Sequence, residues 1–199
     1  MYSGFAFAVS PVCRTLFWLS FAAWIAIELA IWSRDRARVK GRRDDRFSML
    51  AIGVSIGIAN TLAFNGARNW PAAQIHASPY ALTAVGIALI WAGIAFRLWA
   101  VRTLGRFFRV TVTVQDDHRL VDTGPYRKLR NPSYTGALVT MAGVGLAVGN
   151  WLSLAAMVLL PIVGFGWRIR VEEASLAARF GAEYDAYRRR RWALVPPLW

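Results

Sequence analysis

The sequence predicts an all-α integral membrane protein. It has five transmembrane helices with the N-terminus outside, a cytosolic C-terminal amphipathic helix, and an irregular segment between the third and fourth spans. Three observations predict it. Of 199 residues, 56% are hydrophobic and 18% charged, less charge than a soluble domain carries. The apolar residues gather into the runs 16–32, 47–64, 80–100, 134–148 and 151–167, near the ~20 residues that cross a bilayer. Finally, 21 of the 24 Lys and Arg lie in three segments, 33–46, 101–133 and 168–199, seven in each. Five spans with the N-terminus outside put all three segments on one side, which the positive-inside rule makes the cytoplasm.

The first run is too long for a cleavable signal. It contains Glu28 and is not followed by an A-x-A site and a polar mature chain, so it is expected to stay in the protein. Glu28 is a functional candidate by position, since an ionisable group inside a span is costly. The favoured reading is that it sits near the cytoplasmic end and pairs with a cation such as Arg34 or Arg36. In the second run Gly53 and Gly57 have the small-x-x-x-small spacing of packed membrane helices. Arg97, near the end of the third run, can snorkel to the interface.

From Leu104 the pattern changes. Residues 107–114, with a β-branched alternation from Arg109 on, read as an extended segment lying at the interface; residues 115–117 read as a turn. About thirty irregular residues are long for a plain connection, and such loops are functional or disordered. The aromatic and β-branched content argues against disorder. The fourth run is short, and only Gly149 and Asn150 separate it from the fifth, so the two form a tight antiparallel hairpin; Gly145 and Gly149 are a second small-residue pair. After the hairpin, Ile169, Glu172, Glu173, Leu176, Phe180, Tyr184 and Tyr187 recur at spacings of mostly three or four, one face of a helix over 168–190. Arg168 and Glu172 are an i,i+4 pair on it. The run of four arginines at 188–191 is expected at lipid headgroups, and Pro196 and Pro197 end the structure.

Composition also excludes. Net charge is +13, but its distribution serves topology and attraction to anionic headgroups, so nucleic acid is not a partner. Cys13 is alone, so no intramolecular disulfide forms. His76 and His118 fall on opposite sides of the membrane, leaving no metal site. No inverted repeat suggests a transporter.

The most unusual stretch is residues 124–136, which holds two prolines, two tyrosines, three cations and two glycines. Prolines fix φ and glycines allow a tight path, a mixture suited to holding a ligand at a membrane surface. Residues 118–136 and the C-terminal helix flank the hairpin, which brings their ends together. Their inventory is a histidine, tyrosines, arginines and a carboxylate pair beside an apolar space. Each member also has a plainer reading. His118 can cap a turn, Arg168 and Glu172 can be an ordinary helix salt bridge, and Tyr184 and Tyr187 can be interfacial anchors. Arg127 and Lys128 are read as topology signals.

The ordered pattern His118-x-Leu120-Val121-x-x-Gly124-x-Tyr126-x-x-x-Arg130-x-Pro132-Ser133-Tyr134-x-Gly136, then Arg168-x-x-x-Glu172-Glu173-x-x-Leu176-x-x-x-Phe180-Gly181-x-Glu183-Tyr184-x-x-Tyr187 and a terminal proline, resembles the isoprenylcysteine carboxyl methyltransferase family and its wider relatives, which include phospholipid N-methyltransferases. The match runs from Leu104 to the C-terminus. The resemblance implies an integral-membrane methyltransferase that uses S-adenosylmethionine, enclosed on the cytosolic side without a Rossmann domain. It divides the chain into N-terminal membrane helices, 1–103, and a methyltransferase core, 104–199. The core comprises a cofactor segment 104–136, the hairpin 134–167 and the C-terminal helix 168–190. Carried over by position, the cofactor contacts are His118, Arg119, Leu120, Val121, Tyr126, Asn131, Pro132, Ser133, Tyr134 and Glu172. Arg168 stands at the substrate side, and Arg168 and Glu172 are the catalytic pair. Asn131 departs from the family's usual histidine; it keeps a donor and an acceptor but cannot titrate.

The implied acceptor is apolar or lipid-like; the carboxylate of a prenylated cysteine needs no base, whereas a phospholipid amine or a thiol would need one, with His118 or Glu173 as candidates. A non-catalytic binding or assembly module that retains the fold is the rival of another class. The expected setting is the lipid bilayer of a bacterial inner membrane, inferred from compact size and the lack of eukaryotic sorting signals. The oligomeric state is left open.

Overall fold

The computed structural model describes residues 5–38, 46–108 and 120–197. Six α-helices follow in order: α1 Pro11–Arg38, α2 Arg46–Asn69, α3 Pro79–Leu104, α4 Pro132–Val148, α5 Trp151–Phe180 and α6 Ala182–Arg189. Proline opens α1, α3 and α4, a position where its missing N–H has no helical partner in any case. Four helices, α1, α2, α3 and α5, are long and apolar enough to cross a membrane, whereas α4 is a shorter apolar helix of 17 residues. The chain is an integral membrane protein, and each predicted apolar run is a helix. No named strand occurs among the described residues, only two isolated bridges.

Two expectations need correction. The C-terminal helix predicted over 168–190 is not one element. Residues 168–180 continue α5, and the chain breaks at Gly181, whose φ of 51° suits a residue without a side chain, before α6 begins. Phe107 belongs to the 3-10 turn Gly105–Phe107, with Phe108 extended after it. The rest of the predicted extended segment, 109–114, and the turn 115–117 lie outside the described residues.

The hairpin forms as predicted. Gly149 closes α4 at φ 83°, and the Asn150 side chain accepts from Leu152 N at 2.9 Å and Ser153 N at 3.4 Å, capping α5. Its Nδ2 also donates to Trp70 O at 3.0 Å, fastening the end of α2 to the hairpin.

Helices α3 and α4 pack through glycines. A β carbon on Gly86 would lie 2.7 Å from Gly143 O, and one on Gly136 would lie 2.7 Å from Arg97 N. Gly93 and Gly143 are equally crowded by backbone of the opposite helix. The pair singled out in the sequence behaves otherwise: Gly53 and Gly57 are exposed, and a β carbon on either would meet no neighbouring element within 4 Å among the described residues. Spacing alone does not show which face of a helix meets a neighbour.

Helix α1 packs on α3, and α2 on α5. Towards one end α1 and α2 touch through rings, with Phe64 of α2 against Phe17, Trp18 and Phe21 of α1. Beyond that aromatic cluster a cavity is lined by residues of both helices.

Candidate active site

The cavity has a volume of about 480 Å³. Trp24, Ile25, Leu29 and Ile31 of α1 and Met49, Ile52 and Ile56 of α2 give it apolar walls, which Met141 and Phe165 continue. Its polar wall comes from the segment before α4 with the first turn of α4, and from the end of α5 with α6: Tyr126, Arg130, Asn131, Ser133 and Tyr134 on one side, Glu172, Ser175, Tyr184 and Tyr187 on the other. Apolar groups from spanning helices thus meet a polar, ring-rich end.

Among the residues singled out in the sequence, Leu120, Val121, Tyr126, Asn131, Ser133, Tyr134 and Glu172 line this one cavity. Pro132 is buried at the start of α4, shaping the turn and not lining the cavity. His118 and Arg119 lie outside the described residues. Arg168 is fully buried and stands behind the wall. Its Nε donates to Glu172 Oε1 at 2.7 Å and its Nη1 to Ser48 Oγ of α2 at 2.9 Å. Tyr134 Oη also donates to Glu172 Oε1, at 2.9 Å, and its ring packs on Phe165 with centroids 5.1 Å apart. Glu172 is therefore held in place from two helices while its side chain keeps 23% exposure towards the cavity.

The adjacent carboxylate has a different task. Glu173 Oε1 accepts from Arg130 Nε at 2.8 Å and from Asn131 Nδ2 at 3.4 Å. It does not line the cavity, so it is a structural ion pair rather than the candidate base considered for an amine acceptor. Asn131 Nδ2 also donates to Ala193 O at 3.1 Å.

Sequence reasoning missed two parts of the site. The first is the tail. Arg130 N donates to Trp192 O at 2.8 Å, Asn131 N to Ala193 O at 3.2 Å, Trp192 N to Lys128 O at 3.0 Å, and Thr135 Oγ1 to Leu194 O at 2.7 Å. The chain after α6 returns to brace the segment that lines the cavity, and no side-chain periodicity announces backbone pairing of this kind. Arg191 belongs to this brace and not to the headgroup region assigned to the whole arginine run. Its Nε donates to Tyr126 O at 2.9 Å, and its guanidinium lies 4.0 Å from the Tyr187 ring centroid. Arg188, Arg189 and Arg190 are exposed, as are Arg127 and Lys128.

The second part is an ion pair in the wall. Glu28 pairs with Arg97 of α3, a partner the sequence reading did not include, and Arg97 does not snorkel outward. Arg97 Nη2 donates to Glu28 Oε2 at 2.6 Å, and Nη1 donates to Ser133 Oγ at 2.8 Å and Ser133 O at 3.1 Å. Both Glu28 and Arg97 line the cavity. The signal for Glu28 was its cost inside a span; the partner, 69 residues away, was not legible.

The phenols at the polar end stay neutral. Burial raises the Tyr187 pKa to about 12, with Arg191 and Arg130 opposing the shift. Burial, then Tyr187 and Glu172, push Tyr126 well above the ordinary phenol range, and burial with Glu173 does the same for Tyr184. These groups are donors, not bases. Tyr187 uses its Oη to donate to Val121 O at 3.1 Å, closing one edge of the site.

Fold and site together define an integral membrane protein whose spanning helices enclose an apolar cavity, closed at one end by a polar segment and a C-terminal helix. Residues 81–183 match the model of the phospholipid methyltransferase family, and the chain belongs to that family. It is 35% identical over 114 residues to a probable protein-S-isoprenylcysteine O-methyltransferase of Oryza sativa subsp. indica, covering 56% of this chain and 60% of the relative. It is 36% identical over 116 residues to the protein-S-isoprenylcysteine O-methyltransferase of Saccharomyces cerevisiae, covering 57% and 48%. Among solved structures it is similar to a eukaryotic intramembrane Ras methyltransferase, an isoprenylcysteine carboxyl methyltransferase. The TM-score is 0.54 at 25% identity, over 78% of this chain and 54% of that one. The aligned region thus spans 60% or less of the length of each of these proteins.

Proposed function

We propose that the protein transfers a methyl group from S-adenosylmethionine to a lipid-embedded acceptor, and that the carboxylate of an isoprenylcysteine-type molecule is the acceptor class the site and its relatives support best. The observation that carries this reading is a cavity with an apolar end between α1 and α2 and a polar end at Tyr126, Ser133, Tyr134 and Glu172. The polar end fits the cofactor by its chemistry. A fixed carboxylate at Glu172 suits a cationic, amino- and hydroxyl-bearing molecule; the neutral phenols supply donors; and the aromatic rings suit a purine.

The sulfonium supplies a methyl group already activated by charge, so the protein's residues mainly orient the acceptor and exclude water. Glu172, positioned by Arg168 and Tyr134, holds the cofactor side with Leu120, Val121, Tyr126, Asn131, Pro132, Ser133 and Tyr134, and His118 and Arg119 complete that set. Arg168 acts on the acceptor side through the wall it supports. Residues 104–199 are the methyltransferase core and residues 1–103 supply membrane helices around the acceptor. The three cation-rich segments, which the positive-inside rule assigns to the cytoplasm, support a site at the cytoplasmic face of what we take to be a bacterial inner membrane. A phospholipid amine is the second reading, favoured by the family description of residues 81–183.

Calorimetry on detergent-purified protein tests the cofactor, with S-adenosylhomocysteine as the titrant. Labelled methyl transfer to a free-carboxylate S-prenylcysteine, and in parallel to phosphatidylethanolamine, tests the acceptor. Absence of any binding overturns the methyltransferase reading; transfer to the amine lipid alone overturns the carboxylate reading.

A further inference from the structure

Two cations line the cavity, Arg97 and Arg130; Arg130 is bonded to Glu173 and to the carbonyl oxygens of Arg188 and Arg191, which leaves Arg97 as the one facing the apolar end, and Arg168 is enclosed behind the wall. Arg97 is already covered by a carboxylate of the chain itself. We propose that Glu28 of α1 is a displaceable internal ligand, which holds the open edge of Arg97 until the carboxylate of an acceptor exchanges for it. Glu28 thereby sets the affinity for anionic acceptors. The proposal rests on the carboxylate reading above.

Four observations support exchange over a fixed strut. Arg97 is anchored from its other side, where Nη1 donates to Ser133 Oγ and O, so the guanidinium keeps its place when Glu28 leaves. The Glu28 side chain is the more open of the two, 28% exposed against 14% for Arg97. The fork between them is half made: Nη2 donates to Oε2 at 2.6 Å, whereas Nε faces Oε1 at 2.5 Å as an ion pair without hydrogen-bond geometry. An arginine–carboxylate fork at its best makes two parallel bonds, which an incoming carboxylate can supply. Finally, Glu28 itself lines the cavity, together with its helix neighbours Ile25 and Leu29.

The consequence for specificity is electrostatic. An acceptor carboxylate beside Arg97 would meet Glu28 at close range, and two carboxylates sharing one site repel. The anion therefore has to displace Glu28, whereas an uncharged acceptor does not. If Glu28 occupies Arg97 about nine-tenths of the time, the apparent affinity for a carboxylate acceptor is reduced by about tenfold.

Wild type, Glu28→Gln and Glu28→Asp are compared for S-adenosylhomocysteine binding and for methyl transfer to a free-carboxylate S-prenylcysteine. Glu28→Gln is expected to lower KM by about tenfold, with kcat within about twofold and S-adenosylhomocysteine affinity unchanged. Glu28→Asp, one methylene shorter, is expected to lower KM by a smaller factor, and it decides the matter if the Gln variant does not fold. KM unchanged or raised in both variants, with S-adenosylhomocysteine binding intact, overturns the proposal and makes Glu28 a fixed support of Arg97. Wild-type protein that binds S-adenosylhomocysteine but leaves the carboxylate unmethylated overturns the underlying reading before any variant is made.

Discussion

Replacing Gly93 by alanine tests whether the close approach of α3 and α4 carries the site. A β carbon there would lie 2.5 Å from Thr140 N and 2.6 Å from Gly136 O, with Thr140 Oγ1 closer still. Ordinary contact begins at 3.4 Å, so the shortfall is 0.9 Å. Two of the three obstructing atoms are backbone, so no rotamer change relieves the clash and the helices must separate. Overpacking of this kind costs about 1–3 kcal/mol. At about 2 kcal/mol, a chain of this size loses roughly 4–8 °C in Tm. The separation also falls one turn from Arg97, whose bonds to Ser133 cross the same interface at 2.8 and 3.1 Å, so S-adenosylhomocysteine should bind more weakly as well. Gly53→Ala is the control, because nothing lies within 4 Å of its β carbon. It should hold or slightly raise Tm, since alanine is the better helix former by about 1 kcal/mol. The assay is thermal unfolding by circular dichroism in one detergent, with calorimetry beside it. Equal Tm for the two variants would refute the reasoning.

Glu172→Gln should weaken S-adenosylhomocysteine binding while the protein stays folded, because Gln keeps the acceptor for Tyr134 and loses the charge; calorimetry reads it. Arg168→Lys keeps the cation but not the fork that sets Glu172 and Ser48, and turnover should fall by up to ~10²-fold, as for misplacement of a reacting group, with S-adenosylhomocysteine still bound. Arg191→Lys should weaken the same binding, since it loses the planar contacts to Tyr126 O and the Tyr187 ring, whereas Arg189→Ala should not. Tyr187 gives a pH signature. Its folded pKa of about 12 stands above the ordinary phenol value near ~10. The stability it contributes is thus fully present below pH ~10 and lost as pH rises towards 12, which chemical unfolding at stepped pH measures.

The helices were legible because apolar runs of spanning length have few other uses. The capped hairpin was legible because Gly149 and Asn150 are the residues its φ angle and cap require. Seven residues of the polar wall, Tyr126, Arg130, Ser133, Tyr134, Glu172, Tyr184 and Tyr187, were legible as parts of one ordered pattern. What stayed hidden depends on which face of a helix meets which neighbour. Gly53 and Gly57 carry the spacing of a packing motif yet face outward, while Gly86, Gly93, Gly136 and Gly143 make the close contact seven residues apart. Glu28 was visible as a cost without a visible partner. Arg191 looked like its three neighbours, and only the returning tail distinguishes it. The continuation of α5 through Arg168 was hidden because a span's end by composition is not a helix's end by hydrogen bonding.

The tail's pairing with the cavity segment also sets an order of assembly. Asn131 takes its backbone and side-chain partners from Ala193, 62 residues further along. During synthesis, Tyr126 and Asn131 therefore emerge long before the tail that braces them, and the hairpin of α4 and α5 must be threaded into the bilayer in between. A nascent chain stalled or misinserted at that stage has its helices but no finished pocket. Ligand occupancy then reports completed insertion, so that binding to freshly made protein can serve as a readout of membrane integration as much as of chemistry.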